Sequence, residues 1–146
     1  MMINVELKLL DDNAVIPAYA HAGDSGFDLI ANNDETIHLL SGRKICIPTG
    51  IAVAVPIGYE LQVRPRSGLA LKNSITVLNA PGTVDAGYRG EVGVILINHS
   101  NEIFTIERGM KIAQGVICPV MRAEFVVVSE LSETNRGAGG YGSTGV

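Results

Sequence analysis

The chain alternates short apolar runs with turn-forming residues, and this spacing predicts β-strands. Tyr59–Arg64 alternates strictly, with Tyr59, Leu61 and Val63 on one face and polar side chains on the other, as in a strand covered on one side. Residues 92–97 are apolar on both faces, as in a strand covered on both sides. Similar runs predict further strands at 3–9, 35–39, 43–47, 50–55, 74–78, 102–106, 111–118 and 122–129.

Helix signals are nearly absent. Only residues 67–72, Ser-Gly-Leu-Ala-Leu-Lys, predict a short helix of one or two turns. Gly, Pro, Asn and Asp separate the other runs, and many short strands at this spacing are typical of sandwiches and barrels. We therefore predict one all-β domain over residues 1–130, without an internal repeat.

The C-terminal segment departs from this pattern. Residues 136–145 contain five glycines in ten positions and no apolar run that could pack in a core. Fixing such a chain costs about 1–2 kcal/mol of backbone entropy per residue. We predict that residues 131–146 form a flexible arm, which a ligand or a partner orders.

Composition limits the functional classes. The chain has 146 residues, of which 47% are hydrophobic and 18% charged, with a net charge of −4. This argues against broad binding to nucleic acid or to anionic membranes. Without an apolar run of about 18 residues or a signal peptide, the sequence predicts a cytoplasmic protein. Cys46 and Cys118 lie in apolar runs, which favours buried free thiols.

Two segments carry candidate metal and phosphate ligands. Residues 22–29 place Asp24 and Asp28 in a turn that enters a strand, where either could hold a hydrated Mg²⁺; solvated turn carboxylates are the alternative. Pro65-Arg66-Ser67-Gly68 follows a strand and opens the helix, so free N–H groups and the positive dipole end could face an anion. The alternative is that Ser67 only caps the helix.

Three further segments carry candidate groups. Residues 79–91 place Asp85 between two turns, where it could act as a general base toward water or serve as a plain turn residue. Residues 108–114 place Lys111 and Gln114 on a strand, as ligands or as surface polar residues. In the arm, glycine N–H groups, Arg136 and hydroxyl groups suit an anion, although a disordered terminus has the same composition. It is not a Walker A loop, because no Lys precedes Ser143-Thr144.

Together, in this order and spacing, the five segments resemble the five motifs of the trimeric dUTP pyrophosphatases (dUTPases). The resemblance runs from about Pro17 to Gly145. It implies a jelly-roll-like distorted β-barrel and a homotrimer with active sites shared between subunits, where the arm closes over a neighbouring site. It also implies hydrolysis of dUTP to dUMP and pyrophosphate by Mg²⁺-assisted attack of water on the α-phosphorus, which keeps uracil out of DNA and supplies dUMP for thymidylate synthesis.

The resemblance also implies roles for individual residues. Asp85 is expected to activate the attacking water, and Asp28 and Gln114 to hold Mg²⁺ through its water shell. Arg66, Ser67 and Gly68 are expected to bind the phosphate chain, Asn79, Gly82, Thr83 and Val84 to bind uracil, and Tyr88 to pack under the sugar. The other substrate-binding residues implied are Gln114, Arg136, Tyr141, Gly142, Ser143 and Thr144. Among these, Arg136, Ser143 and Thr144 are expected to bind the γ-phosphate and Tyr141 to cover the base.

The motifs depart from the family pattern at a few positions without losing a catalytic group. Lys111 stands where many members have Arg, Tyr141 where Phe is commonest, and Val84 where Ile is common; Ser25 and Phe27 vary the first motif.

Three alternatives share the fold: a dCTP deaminase-like enzyme, a non-catalytic nucleotide-binding regulator, and a structural jelly-roll protein. The hairpin with Asn79, Asp85 and Tyr88 favours the dUTPase over the deaminase. The intact Asp28 and Gln114 favour catalysis over regulation alone.

Overall fold

The computed structural model describes residues 2–145. Met1 of the predicted domain 1–130 and Val146 of the predicted arm 131–146 lie outside the described residues. The described part contains ten strands and one helix: β1 (Glu6–Leu9), β2 (Phe27–Ile30), β3 (Ile37–Leu39), β4 (Lys44–Ala54), β5 (Tyr59–Arg64), α1 (Ser67–Asn73), β6 (Ile75–Val77), β7 (Gly82–Val84), β8 (Glu91–Asn98), β9 (Phe104–Ile106) and β10 (Lys111–Pro119). The all-β class and the short helix are confirmed.

The strands form two four-stranded sheets and one two-stranded sheet, all antiparallel. The first has the order β1-β4-β8-β6, the second β2-β10-β5-β7, and the small one pairs β3 with β9. Side chains of both large sheets share one core, with Ile47, Val94 and Leu96 from the first and Leu29 and Leu61 from the second. The sheets stay separate, so the jelly-roll-like fold is a sandwich and does not close into a barrel.

Strand β8 shows how alternation places side chains in this core. Val92, Val94 and Leu96 are buried, whereas Ile95 and Ile97 on the alternate positions are only half-buried. Successive side chains point to opposite faces of a strand, so this chain by itself covers one face of β8. The prediction of a strand covered on both faces therefore holds for one face.

Several strand bounds differ from the prediction. The predicted strands 43–47 and 50–55 are one strand, β4, whose pairing with β8 shifts register between Pro48 and Ala52. Gly50 lies within this shift at φ +70, a conformation that glycine adopts without the cost of a Cβ atom. Strands β1, β3 and β9 are shorter than predicted.

The predicted strand 122–129 is wrong. Residues 120–128 have no regular secondary structure, and Phe125 and Val127 are 92% and 97% exposed. The β-branched run has the composition of a strand, but a strand also requires a neighbour for its N–H and C=O groups. Within residues 2–145, no strand pairs with this segment.

The prediction that both cysteines are buried is also wrong, although both are free. Cys46 is exposed because it lies on the face of β4 opposite the buried Ile47, and Cys118 is half-buried. Within residues 2–145, the single helix is too short to cross a membrane.

Candidate active site

The junction of β5 and α1 exposes the backbone of the second of the five motifs, Pro65–Gly68. Arg66 precedes the helix with extended backbone angles, φ −93 and ψ 131, and no side chain caps the first turn. The first helical hydrogen bond runs from the Ala70 N–H to the Arg66 carbonyl at 3.1 Å. The N–H groups of Ser67 and Gly68 therefore lack helical partners, and the interpretation of Ser67 as a helix cap is wrong.

The Asp28 carboxylate lies between two cations. Its Oδ1 is 3.1 Å from Arg66 Nε, and its Oδ2 is 2.7 Å from Lys111 Nζ. Arg66 Nη1 also donates to the Lys111 carbonyl at 3.2 Å. Because the three side chains are partly exposed, these pairs contribute little to stability. They orient the Arg66 guanidinium, and within residues 2–145 no hydrogen bond is described from its Nη2 group.

Gln114 connects this ion cluster to the rest of the site. It is the register partner of Asp28 on β2 and of Arg64 on β5. Its Nε2 donates to the Pro65 carbonyl at 2.8 Å. The side chain lies against Gly26, where an added Cβ atom would be 3.2 Å from Gln114 Cδ and closer still to Oε1. The amide thus has one orientation, fixed by Gly26 just before β2 and by Pro65 just after β5.

These residues line one open cleft of about 490 Å³, hereafter the cleft. Three lining residues were missed by the sequence analysis, Leu69, Lys72 and Asn73. Lys72 lies four residues after Gly68 on α1, and residues at this spacing share one face of a helix. Helical periodicity was therefore the signal that could have found it. The complete lining is Asp28, Arg66, Ser67, Gly68, Leu69, Lys72, Asn73 and Gln114.

The donor groups in the cleft suit a hydrated cation. Within residues 2–145, no group of three His, Cys, Asp or Glu side chains converges as a metal site. The cleft has one carboxylate, Asp28, and two amides, Gln114 and Asn73. Mg²⁺ keeps most of its water shell and is commonly held by one or two protein groups together with substrate phosphates. The residues therefore fit Mg²⁺ bound through water.

The third motif forms a separate hairpin, residues 79–91. Its strand β7 pairs with β5, Gly82 opposite Val63 and Val84 opposite Leu61. Gly82 is buried, and an added Cβ atom would lie 3.3 Å from Val63 Cβ. Asp85 follows β7 in an exposed turn, closed by a hydrogen bond of 3.0 Å from the Tyr88 N–H to the Asp85 carbonyl.

The hairpin and the cleft of one chain do not converge. Val84 lies opposite Leu61 on β5. Arg66 lies beyond the C-terminal end of β5, about 17 Å from Leu61 at 3.3–3.4 Å per residue. None of the predicted hairpin residues Asn79, Gly82, Thr83, Val84, Asp85 and Tyr88 lines the cleft.

The arm lies apart from both. Arg136 Nε donates to the Gly139 carbonyl at 2.9 Å, and the Ser143 N–H donates to the Gly140 carbonyl at 3.1 Å. All hydrogen bonds described for residues 136–145 are made within the arm. Tyr141 is fully exposed. The predicted ligands Arg136, Tyr141, Gly142, Ser143 and Thr144 therefore do not meet the cleft of their own chain.

A second, larger cavity is apolar. It lies between the two large sheets, with Val5 and Ile51 on one side and Phe27 and Tyr59 on the other, and has a volume of about 860 Å³. The edge of Tyr19 packs on Phe27 at 5.5 Å between ring centroids. Asp24, the alternative Mg²⁺ candidate, lines this cavity, whereas Asp28 lines the cleft together with Arg66, Ser67, Gly68 and Gln114. The other predicted catalytic, substrate and metal ligands do not line the cavity.

The β-sandwich carries a cleft that suits a phosphorylated ligand: Arg66 and Lys111 pair with the Asp28 carboxylate, and Lys72 and the free N–H groups of Ser67 and Gly68 line the same cleft as Asp28. Comparison with known proteins makes this specific. The family model of dUTPase matches residues 12–145. The deoxyuridine 5'-triphosphate nucleotidohydrolase of Picosynechococcus sp. is 55% identical over 98% of this chain and 99% of its own length. That of Alkaliphilus metalliredigens is 54% identical over 99% of both chains.

Solved structures agree. A mutant dUTPase of Staphylococcus bacteriophage 80alpha with dUpNHpp has a TM-score of 0.88 at 31% identity, covering 99% of this chain and 100% of that chain. A mutant dUTPase of phage phi11 of S. aureus, described with a structural Mg(II) ion, has a TM-score of 0.78 at 29% identity, covering 88% and 98%. This chain belongs to the dUTPase family, enzymes that hydrolyse dUTP to dUMP and pyrophosphate.

Proposed function

We propose that this chain hydrolyses dUTP as a Mg²⁺-dependent homotrimer in which each active site combines the cleft of one subunit with the hairpin and the arm of neighbours. The observation that carries the proposal is the distribution of the motifs. Asp28, Arg66 and Gln114 share one cleft, whereas Asp85 and the arm of the same chain lie elsewhere.

The chemistry requires the cleft and the hairpin to meet. A general base acts over about 3 Å, or through one water molecule, so Asp85 and Ser67 must approach the same α-phosphorus. Within one chain, the distance of about 17 Å along β5 from Leu61, the partner of Val84, to Arg66 forbids this. A second copy that presents its hairpin to the cleft removes the conflict.

In the proposed site, the cleft binds the phosphate chain. The N–H groups of Ser67 and Gly68 donate to phosphate oxygens, and Arg66, held from behind by Asp28, uses its outer N–H groups. An added Cβ atom at Gly68 would meet nothing within 4 Å, so the substrate approaches this backbone freely. Asp28 and Gln114 hold Mg²⁺, which supplies charge neutralisation for the phosphoryl oxygens and the leaving pyrophosphate.

The exposed Asp85 carboxylate orients and activates the attacking water. Phosphoryl transfer depends on positioning and charge stabilisation more than on covalent help from the protein. The backbone of Gly82, Thr83 and Val84, together with Asn79, pairs with the uracil edge. Cytosine presents the reverse donor–acceptor pattern there and would leave buried groups unpaired, which a polar site rejects strongly. Tyr88 packs beneath the sugar, where a ribose hydroxyl would clash.

The arm completes the site in this proposal. Arg136, Ser143 and Thr144 bind the γ-phosphate, the backbone of Gly142 approaches it closely, and Tyr141 covers the base. Closure of a glycine-rich arm excludes bulk water only when a triphosphate is present.

Exposed apolar surface supports association between copies. Between residues 121 and 131, Met121, Phe125, Val127 and Leu131 are 97%, 92%, 97% and 87% exposed. Burial of such surface contributes about 25 cal/mol per Å², and contiguous apolar patches of this kind mark interaction sites. The cavity between the sheets and the half-buried face of β8 are further apolar surfaces of this chain.

The dCTP deaminase alternative lacks support, since both named relatives are dUTP nucleotidohydrolases.

The test is product analysis with Mg²⁺ and each of dUTP, dCTP, dTTP and UTP, comparing wild type with Asp85→Ala. We expect dUMP and pyrophosphate from dUTP alone, and their loss in the variant. Ammonia from dCTP would identify a deaminase instead, and binding of dUTP without turnover would leave only a regulator.

Sedimentation tests the assembly. We expect a trimer for the wild type. The Phe125→Ser trimer should be weaker, so that it dissociates at protein concentrations at which the wild type is still assembled. A monomeric wild type with full activity would contradict the shared site.

A further inference from the structure

The ring of Tyr88 lies against a glycine of its own hairpin. A Cβ atom added at Gly90 would be 2.6 Å from Tyr88 Cζ and 3.1 Å from Cε2, and closer still to Oη. Tyr88 Oη also donates to the Glu91 carbonyl at 3.0 Å. Tyr88 is nevertheless 47% exposed. The ring is thus supported from behind by residues 90 and 91, and its other side is open to a ligand.

The backbone before Gly90 is fixed independently of the ring. The Tyr88 N–H donates to the Asp85 carbonyl at 3.0 Å. Arg89 Nη1 donates to the carbonyls of Ala86 and Tyr88 at 2.6 and 2.9 Å. These bonds hold the turn from Asp85 to Arg89, so the backbone cannot easily yield to an added methyl group.

The backbone after Gly90 is fixed as well. Glu91 begins β8 and pairs with Ala52 of β4. Its side-chain Oε1 accepts a hydrogen bond of 2.8 Å from the Gly50 N–H. A methyl group at Gly90 would therefore displace the Tyr88 ring, because atoms at these separations overlap and the backbone is anchored on both sides.

We propose that Gly90 is a positioning residue for sugar discrimination: the absence of a side chain there sets the orientation in which Tyr88 excludes a ribose 2′-hydroxyl. This inference rests on the proposed role of Tyr88 beneath the sugar. Gly90 itself touches no substrate in the proposal and acts only through the ring.

The experiment compares the ratio of kcat/KM for dUTP to that for UTP in wild type, Gly90→Ala and Gly87→Ala. Gly87 is a matched control in the same hairpin, because an added Cβ atom there meets nothing within 4 Å and its φ is not in the left-handed region. We expect the ratio to fall by about tenfold or more in Gly90→Ala, since a misplacement of 1 Å in a site can cost that much. The ratio should stay within about twofold of wild type in Gly87→Ala, a surface change that touches nothing.

A double-mutant cycle with Tyr88→Ala separates action through the ring from a general effect on the hairpin. If Gly90 acts through Tyr88, Gly90→Ala leaves the already lowered ratio of Tyr88→Ala unchanged. If Gly90→Ala alone folds poorly, restored folding in the double variant equally supports the clash with the ring. Persistent misfolding in the double variant would overturn the inference.

Two other outcomes are distinct. Unchanged discrimination in a well-folded Gly90→Ala protein, with a discriminating wild type, would overturn only the role of Gly90. A wild type that accepts UTP as readily as dUTP would overturn both this inference and the sugar role of Tyr88.

Discussion

Gln114 and Asp28 lie opposite each other across β10 and β2, and Gln114 also donates its amide N–H to the Pro65 carbonyl at 2.8 Å. One side chain thereby joins three motifs. It faces the carboxylate of the first motif, supports the loop of the second and itself belongs to the fourth. Changes that move Gln114 should therefore affect metal and phosphate binding together.

Gly26→Ala should displace the Gln114 amide, because an added Cβ atom would lie 3.2 Å from Cδ and closer to Oε1. We expect the Mg²⁺ concentration for half-maximal activity to rise by about tenfold, the loss reported for altered supporting groups at metal sites. Activity measured over a Mg²⁺ titration checks this, with Gly87→Ala as the control. An unchanged titration curve would show that Gln114 does not contribute to metal binding.

Lys111→Met should strengthen Mg²⁺ binding, because it removes the cation 2.7 Å from Asp28 Oδ2. An exposed ion pair contributes about 0.2–1 kcal/mol, so we expect half-saturation at a Mg²⁺ concentration lower by a factor of about five at most. The thermal midpoint should hardly change. Lys44→Met, at an exposed position on β4, is the control for loss of one surface charge. Weaker Mg²⁺ binding in Lys111→Met would show that the lysine supports the site instead of competing.

Lys72→Met should raise the KM for dUTP, because Lys72 lines the cleft on the same helix face as Gly68. We expect a rise of about fivefold at low ionic strength that shrinks as salt is added, as screening of a phosphate contact requires. Steady-state kinetics at several salt concentrations measure this, and Lys8→Met on β1 is the control. Equal KM values for both variants would remove Lys72 from the site.

Deletion of residues 132–146, which leaves Leu131 in place, should abolish efficient turnover without unfolding the domain. All hydrogen bonds described for residues 136–145 are internal to the arm, so the core loses no support. We expect kcat/KM to fall by about a hundredfold, since removed positioning groups can cost this much, and the thermal midpoint to stay constant. Tyr141→Phe keeps the aromatic ring and should retain activity. Full activity of the truncated protein would contradict a closing arm.

The period of two along β5 predicted which of its side chains enter the core, and the turn residues predicted where most strands end. The motif residues likewise predicted five of the side chains and backbone positions that line the cleft, namely Asp28, Arg66, Ser67, Gly68 and Gln114. The predicted strand 122–129 was wrong because a strand depends on a hydrogen-bonded neighbouring strand as well as on its own composition. Within residues 2–145, no strand pairs with this segment. The prediction that Cys46 is buried was wrong because apolar neighbours in sequence do not show on which face of the strand a side chain lies.

Only the tertiary structure decided which candidate residues meet. Antiparallel pairing of β10 with both β2 and β5 brings Gln114 to Asp28 and to the start of the Arg66 loop, although these residues are distant in sequence. The same pairing rules hold Val84 beside Leu61 and keep Asp85 away from that cleft. Local sequence thus determined the residue types and the strand periods, whereas long-range register determined their distances, because hydrogen-bonded pairing between strands depends on the whole sheet.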